Sequence, residues 1–205
     1  MRLSGLGQGR EGWETGACTT RYTDDHLTVV TEDVKTPSRP GFKPWTTVQR
    51  KSAVVVAAMT GAGEFLLVRQ ERIPIRCAIW EMPAGQIDEA QPSRKEIEAT
   101  ALRELREETG YELAERGELI PLGDFFASPG FTDEREYLFL ARPVERARAS
   151  ENTVKQEEAI VDCRAFPISE LQRMMADGEI RDANTLSICA RLAARGLLTF
   201  GTRSN

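Results

Sequence analysis

The chain has 205 residues, 40% of them hydrophobic and 29% charged, which suits one globular domain with an appendage and argues against two full domains. A net charge of -5, with no local basic patch, gives no pull on polyanions, so a nucleic-acid partner is not expected and a small-molecule substrate is. The longest apolar run, residues 53–59, is too short to span a bilayer and the first twenty residues carry no apolar block, so the expectation is a cytoplasmic protein without membrane association.

Residues 1–20 contain Gly5, Gly7, Gly9, Gly12 and Gly16 and read as a flexible N-terminus. Residues 21–50 read as a β-rich extension of short pieces broken by Pro37, Pro40, Gly41 and Pro44, and residues 51–200 as the main domain. The β-rich run 53–59, the turn residues 60–63 and a second strand over 65–69 predict a hairpin. A strand over 78–82 ends at Pro83-Ala84-Gly85, and a polar loop runs to Ser93. Ser93 and Glu96 have capping-box spacing and Gly110 is placed to stop a helix, which predicts a helix over 94–109. Strands follow near 122–126, 137–141 and 160–166, and helices over 170–177 and 183–195. Strands and helices interleave without internal repeat, so the class is α/β or α+β.

His26 is the only histidine, which nearly removes Ser-His-Asp and Cys-His mechanisms. Cys18, Cys77, Cys163 and Cys189 are scattered without a CxxC pair or a neighbouring histidine, and read as reduced structural thiols rather than zinc ligands or a disulfide framework. The chemistry instead points to the helix over 94–109. Glu104 and Glu108 lie about 40° apart around its axis, adjoining the apolar arc of Ile97, Ala101 and Leu105, with Glu107 beside Glu104. Carboxylates gathered at the edge of a buried face repel one another unless protonated or bound to a cation, and a hard divalent ion meets that need. The plainer alternative is a solvated face on which Arg103 and Glu107 form an i,i+4 pair.

The segment Arg103-Glu104-Leu105-Arg106-Glu107-Glu108-Thr109-Gly110-Tyr111, with Gly85 upstream, resembles the signature of the Nudix hydrolases, and its closing half agrees at every defined position. The opening half departs: Gln91 stands where the family has a Glu after the Gly, Lys95 where it has that Glu before the Arg, and four extra residues separate Gly85 from Arg103. Glu81-Met82-Pro83-Ala84-Gly85, Ser128-Pro129-Gly130-Phe131-Thr132-Asp133-Glu134 and Gly178-Glu179-Ile180-Arg181-Asp182-Ala183 further resemble the ADP-ribose pyrophosphatase and nucleoside diphosphate sugar hydrolase branch.

That resemblance implies an α/β/α sandwich around a mixed β-sheet, and Mg2+-dependent attack of water on a diphosphate, with Mn2+ as a substitute ion. It implies Glu104 and Glu108 as principal metal ligands, Glu107 completing the cluster, and the carbonyl of Ala84 as a backbone ligand. It further implies Arg103 as a carboxylate-orienting residue, Arg72 as a diphosphate contact, and Glu134 as a substrate-contacting acid. The general base is expected in the acidic loop 150–158, at Glu158 in preference to Glu157. Trp45, with Phe42, is expected to stack on a nucleobase, and the N-terminal strands to join a homodimer. Two other readings stay open: a Nudix enzyme for a dinucleotide or nucleoside triphosphate, and a non-catalytic ADP-ribose-type sensor.

Overall fold

A computed structural model describes residues 11–148 and 159–201. The chain divides into two compact units, Met1–Ser52 with Phe126–Arg135 and Ala53–Phe125 with Glu136–Asn205.

The first unit is an antiparallel sheet of β1 (Glu14–Thr23), β2 (Leu27–Lys35) and β3 (Lys43–Arg50), with β2 in the middle. Asp24 closes the first turn by accepting bonds from the backbone N–H groups of His26 and Leu27 at 2.8 and 2.9 Å. β1 starts at Glu14, within the stretch expected to be flexible on its glycines. The β-branched and aromatic residues Thr19, Thr20, Tyr22 and Thr23 outweigh Gly16 once β2 offers a partner. The strands are also longer than the short pieces that the prolines suggested, because Pro37 and Pro40 fall in the β2–β3 connection and Pro44 near the start of β3. The Phe131 carbonyl accepts the Val48 N–H at 2.8 Å, and Asp133 accepts the Arg50 N–H at 3.0 Å, which ties residues 126–135 to this sheet.

The second unit is built on a mixed sheet in the order β10-β5-β4-β9-β8, with β6 paired to β5 and β7 to β4. Its strands are β4 (Ala53–Thr60), β5 (Phe65–Arg72), β6 (Cys77–Glu81), β7 (Ala84–Gln86), β8 (Tyr111–Phe126), β9 (Arg135–Arg146) and β10 (Ile160–Phe166). β4 runs parallel to β9 and antiparallel to β5 and β7. Its Ala53–Val55 stretch pairs with β7, whereas Ala58 and Met59 pair with β5. The chain therefore passes from the edge of β5 to that of β4 at Met82 and Pro83.

Alternation along β4 sends Val55 and Ala57 to one face and Val54 and Val56 to the other. The first face packs with Leu171 and Met174 of α2 (Ile168–Ala176) and Ile188 and Leu192 of α3 (Ala183–Ala194). The second packs with Ile97, Ala101 and Leu105 of α1 (Arg94–Thr109). Burial on both faces explains why residues 53–58 read as a continuous apolar run, and it gives the expected helix-on-sheet-on-helix sandwich. β8 is far longer than the 122–126 expectation: it lies at the end of the sheet, and its Glu112, Glu115, Arg116 and Glu118 dilute the apolar signal.

Candidate active site

α1 begins and ends where the sequence places it. The Ser93 side chain accepts the Glu96 N–H at 3.4 Å, and the Glu96 carboxylate accepts the Ser93 N–H at 2.6 Å. Gly110 closes the helix with φ of 71°, its N–H bonding the Arg106 carbonyl at 2.9 Å. Between these caps, burial of Ile97, Ala101 and Leu105 against the sheet carries Glu104 and Glu108 inward with them, to 1% and 4% exposure.

β7 supplies the facing wall. Gly85 pairs with Val54 in the centre of the sheet, and a Cβ at that position would overlap the carboxylate of Glu104. The glycine thus makes room for an acid side chain against bare backbone. The Ala84 N–H donates to Glu108 Oε2 at 3.0 Å, so both buried carboxylates lie beside residues 84 and 85.

Arg103 organises the outer edge, with Nη2 2.5 Å from Glu104 Oε1 and Nη1 2.7 Å from Glu107 Oε2. Partial burial works against its charge, but Glu104 and Glu107 outweigh that and hold its pKa above the ordinary arginine value. The i,i+4 pair of the plainer sequence reading therefore forms at Glu107, which is more exposed than Glu104 and Glu108. With Arg103 lying across the acids, no three Asp, Glu, His or Cys side chains among the described residues stand as a ready-made metal cage. The donor set nevertheless suits a hard divalent cation. It is all oxygen, Gly85 leaves space beside it, and Oε2 of Glu104 and Oε1 of Glu108 are buried and accept no hydrogen bond, each carboxylate being engaged through its other oxygen.

Arg72 ends β5 and reaches Glu81 at the end of β6, giving a paired contact in which Nε lies 2.9 Å from Oε1 and Nη2 also bonds Oε2. This pair raises the pKa of Arg72, against partial burial and with the charges of Asp182 and Glu108 adding to the rise. Burial pushes the Glu81 carboxyl above its ordinary range, with Arg72 pulling the other way. Arg72 is thus already held along one edge of its guanidinium by a buried acid.

The second unit brings together Arg72, Ala84, Glu104, Glu107 and Glu108. Glu134 and Trp45 belong to the first: Glu134 pairs with Arg50 at 3.1 Å, and Trp45 is 56% exposed on β3. Glu157 and Glu158, in the loop expected to supply the base, lie outside the described residues. Sequence reasoning gave no individual role to the buried polar residues Glu81, Thr100, Thr109, Thr132, Glu136 and Thr185. For Glu81 the signal was present, since it is an acid set between the apolar residues Trp80 and Met82.

Comparisons with known proteins bear on this arrangement. The NUDIX domain family matches residues 49–187. An ADP-ribose pyrophosphatase of Bacillus subtilis (strain 168) is 34% identical over 154 residues, covering 75% of this chain and 78% of the relative. A methanol dehydrogenase activator of Bacillus methanolicus is 33% identical over 139 residues, covering 68% and 70%. A solved structure described as an ADP compounds hydrolase superposes with a TM-score of 0.71 at 16% identity, covering 91% of this chain and 97% of the other, a likeness of fold. A family match over residues 49–187, with a relative 34% identical over three quarters of this chain, shows that the chain belongs to the Nudix hydrolases.

Proposed function

We propose that this hydrolase cleaves the diphosphate bond of ADP-ribose or a nucleoside diphosphate sugar, releasing a nucleoside monophosphate and a sugar phosphate. The observation that carries the reading is the pair of buried acids Glu104 and Glu108 set against the bare backbone of Ala84 and Gly85. The name of the B. subtilis relative supports the substrate class.

Glu104 and Glu108 would hold Mg2+, with Mn2+ as a substitute, joined by Glu107 and the Ala84 carbonyl. The bound ion supplies charge neutralisation on the diphosphate and a more acidic water. Arg103 aligns Glu104 and Glu107 through its two ion pairs. Arg72 binds the diphosphate, and its contact with Glu81 fixes the plane of its fork beforehand, which lowers the ordering cost of binding. Glu158, or else Glu157, takes the proton from the attacking water. Glu134 contacts the substrate and Trp45 stacks on the base. The exposed aromatic groups of the first unit, Trp13, Tyr22, Phe42 and Trp45, favour association of two copies into a homodimer. None of the described helices is long and apolar enough to cross a membrane, and we place the protein in the cytoplasm.

The test is a panel of ADP-ribose, ADP-sugars, GDP-sugars, dinucleotides and nucleoside triphosphates incubated with Mg2+, with products separated chromatographically. Nucleoside monophosphate released from ADP-ribose or a sugar conjugate, and abolished by chelation, is the expected result. A second reading, hydrolysis of another nucleotide or a sensor without turnover, draws on Gln91 and Lys95 in the opening half of the signature and on an activator among the relatives. Cleavage confined to dinucleotides or triphosphates, or tight ADP-ribose binding without products, would put that reading first.

A further inference from the structure

Three consecutive backbone positions at the mouth of β7 are each tied to a different element. The Met82 N–H donates to Thr185 Oγ1 of α3 at 2.8 Å, the Pro83 carbonyl accepts the Val56 N–H of β4 at 2.8 Å, and the Ala84 N–H donates to Glu108 of α1 at 3.0 Å. The last two join the segment to the central strand and to the acid-bearing helix. The first reaches across the sheet to a helix that otherwise has no part in the proposed chemistry.

Thr185 is fully buried and Met82 is 1% exposed, so this bond is made out of reach of water. The hydroxyl also donates to Asp182 Oδ2 at 2.7 Å, and the same oxygen accepts the Thr185 N–H at 2.7 Å as the N-cap of α3. An ionised carboxylate only accepts, so the hydroxyl hydrogen is committed to Asp182 and a lone pair is turned toward Met82. A buried hydroxyl with its rotor locked in this way is a directional anchor. The Gly178–Ala183 motif, which the proposed chemistry leaves without a task, ends on this cap.

We propose that Thr185 and Asp182 are positioning residues for the active site. Together they hold the Met82–Ala84 backbone at the height where the Ala84 N–H meets Glu108 and Gly85 lies against Glu104. The inference rests on the reading of these acids and the Ala84 carbonyl as the cation site.

Wild type, Thr185→Val and Thr185→Ser are compared by direct Mn2+ titration, following the electron paramagnetic resonance signal of the free ion, and by turnover of ADP-ribose. Thr185→Val is nearly isosteric but has no hydroxyl; Thr185→Ser keeps it. The expected result is weaker Mn2+ binding by about tenfold and a kcat lowered about tenfold with KM little changed in Thr185→Val, with Thr185→Ser within about twofold of wild type, a difference of about 1.4 kcal/mol per tenfold. A folded Thr185→Val that binds Mn2+ and turns over like wild type overturns the proposal and leaves the cation-site reading intact. Absence of saturable Mn2+ binding in wild type overturns both. If wild type binds Mn2+ without turnover, the titration alone decides. If Thr185→Val does not fold, Asp182→Ala is measured against Asp182→Asn, which keeps an acceptor for the hydroxyl and the cap. Loss of Mn2+ affinity in the alanine variant alone supports the proposal, and equal affinity in both overturns it.

Discussion

At Gly85 the absence of one methyl group decides whether an acid can stand against a β-strand. Gly85→Ala would force the Glu104 carboxylate out of its place, because the added Cβ has no room beside it and the sheet backbone at Val54 cannot retreat. The expected outcome is loss of most cation-dependent turnover with a destabilisation of roughly 1–3 kcal/mol, read by activity and chemical denaturation. The cysteines make a second test at this scale. Burial raises the thiol of Cys163 to about 11 and that of Cys189 to about 12, so both stay protonated at neutral pH. Cys18 and Cys77 are exposed. An aromatic disulfide reagent should therefore label these two first and reach Cys189 only on unfolding; rapid labelling of all four would contradict the packing of α3 against the sheet.

Among the elements, α1 was fully legible in the sequence, since its start is written by Ser93 and Glu96, its stop by Gly110, and its buried face by Ile97, Ala101 and Leu105. All of these signals are local. Leu105→Ala should lower stability by about 2–5 kcal/mol as a cavity opens under the helix, and Gly110→Ala by about 1 kcal/mol because the cap is left-handed, both measured by denaturant unfolding. What sequence reading could not supply is the element that α1 faces. β7 has three residues, and Pro83-Ala84-Gly85 reads as a turn; it becomes a strand only because β4 offers it a partner. The pairing of Arg72 with Glu81 and the reach of Thr185 to Met82 span 9 and 103 positions and exist only in the assembled sheet. Residue types nominated the three glutamates, and helical spacing the Arg103–Glu107 pair, but they could not say that Arg103 would bond Glu104 as well.

For the whole molecule, interleaved strand and helix signals were enough for an α/β or α+β class, and the sandwich of the second unit was expected from the resemblance to the Nudix hydrolases, because a central strand buried on both faces reads as an unbroken apolar run. The first unit was legible only as β-rich, because its strands bury little: β1 is exposed along its whole length and Val30 is the one fully buried residue described in β2. A sheet with so little core of its own gives a weak periodic signal and leaves its aromatic residues facing outward. If two copies associate through it, light scattering will report a dimer, and replacing Trp13 and Trp45 by Ser will shift it toward monomer; a wild-type monomer at high concentration would remove the dimer from the account.

The central claim is that acids on α1 carry the hydrolysis, and Glu108→Gln tests it most directly. The amide keeps an oxygen to accept the Ala84 N–H, so the fold should be retained, while the charge that would hold the cation is lost. Turnover of ADP-ribose with Mg2+ should fall by at least about a hundredfold, corresponding to roughly 3 kcal/mol, with the unfolding transition unchanged. A folded Glu108→Gln protein that still releases nucleoside monophosphate at the wild-type rate would contradict the account.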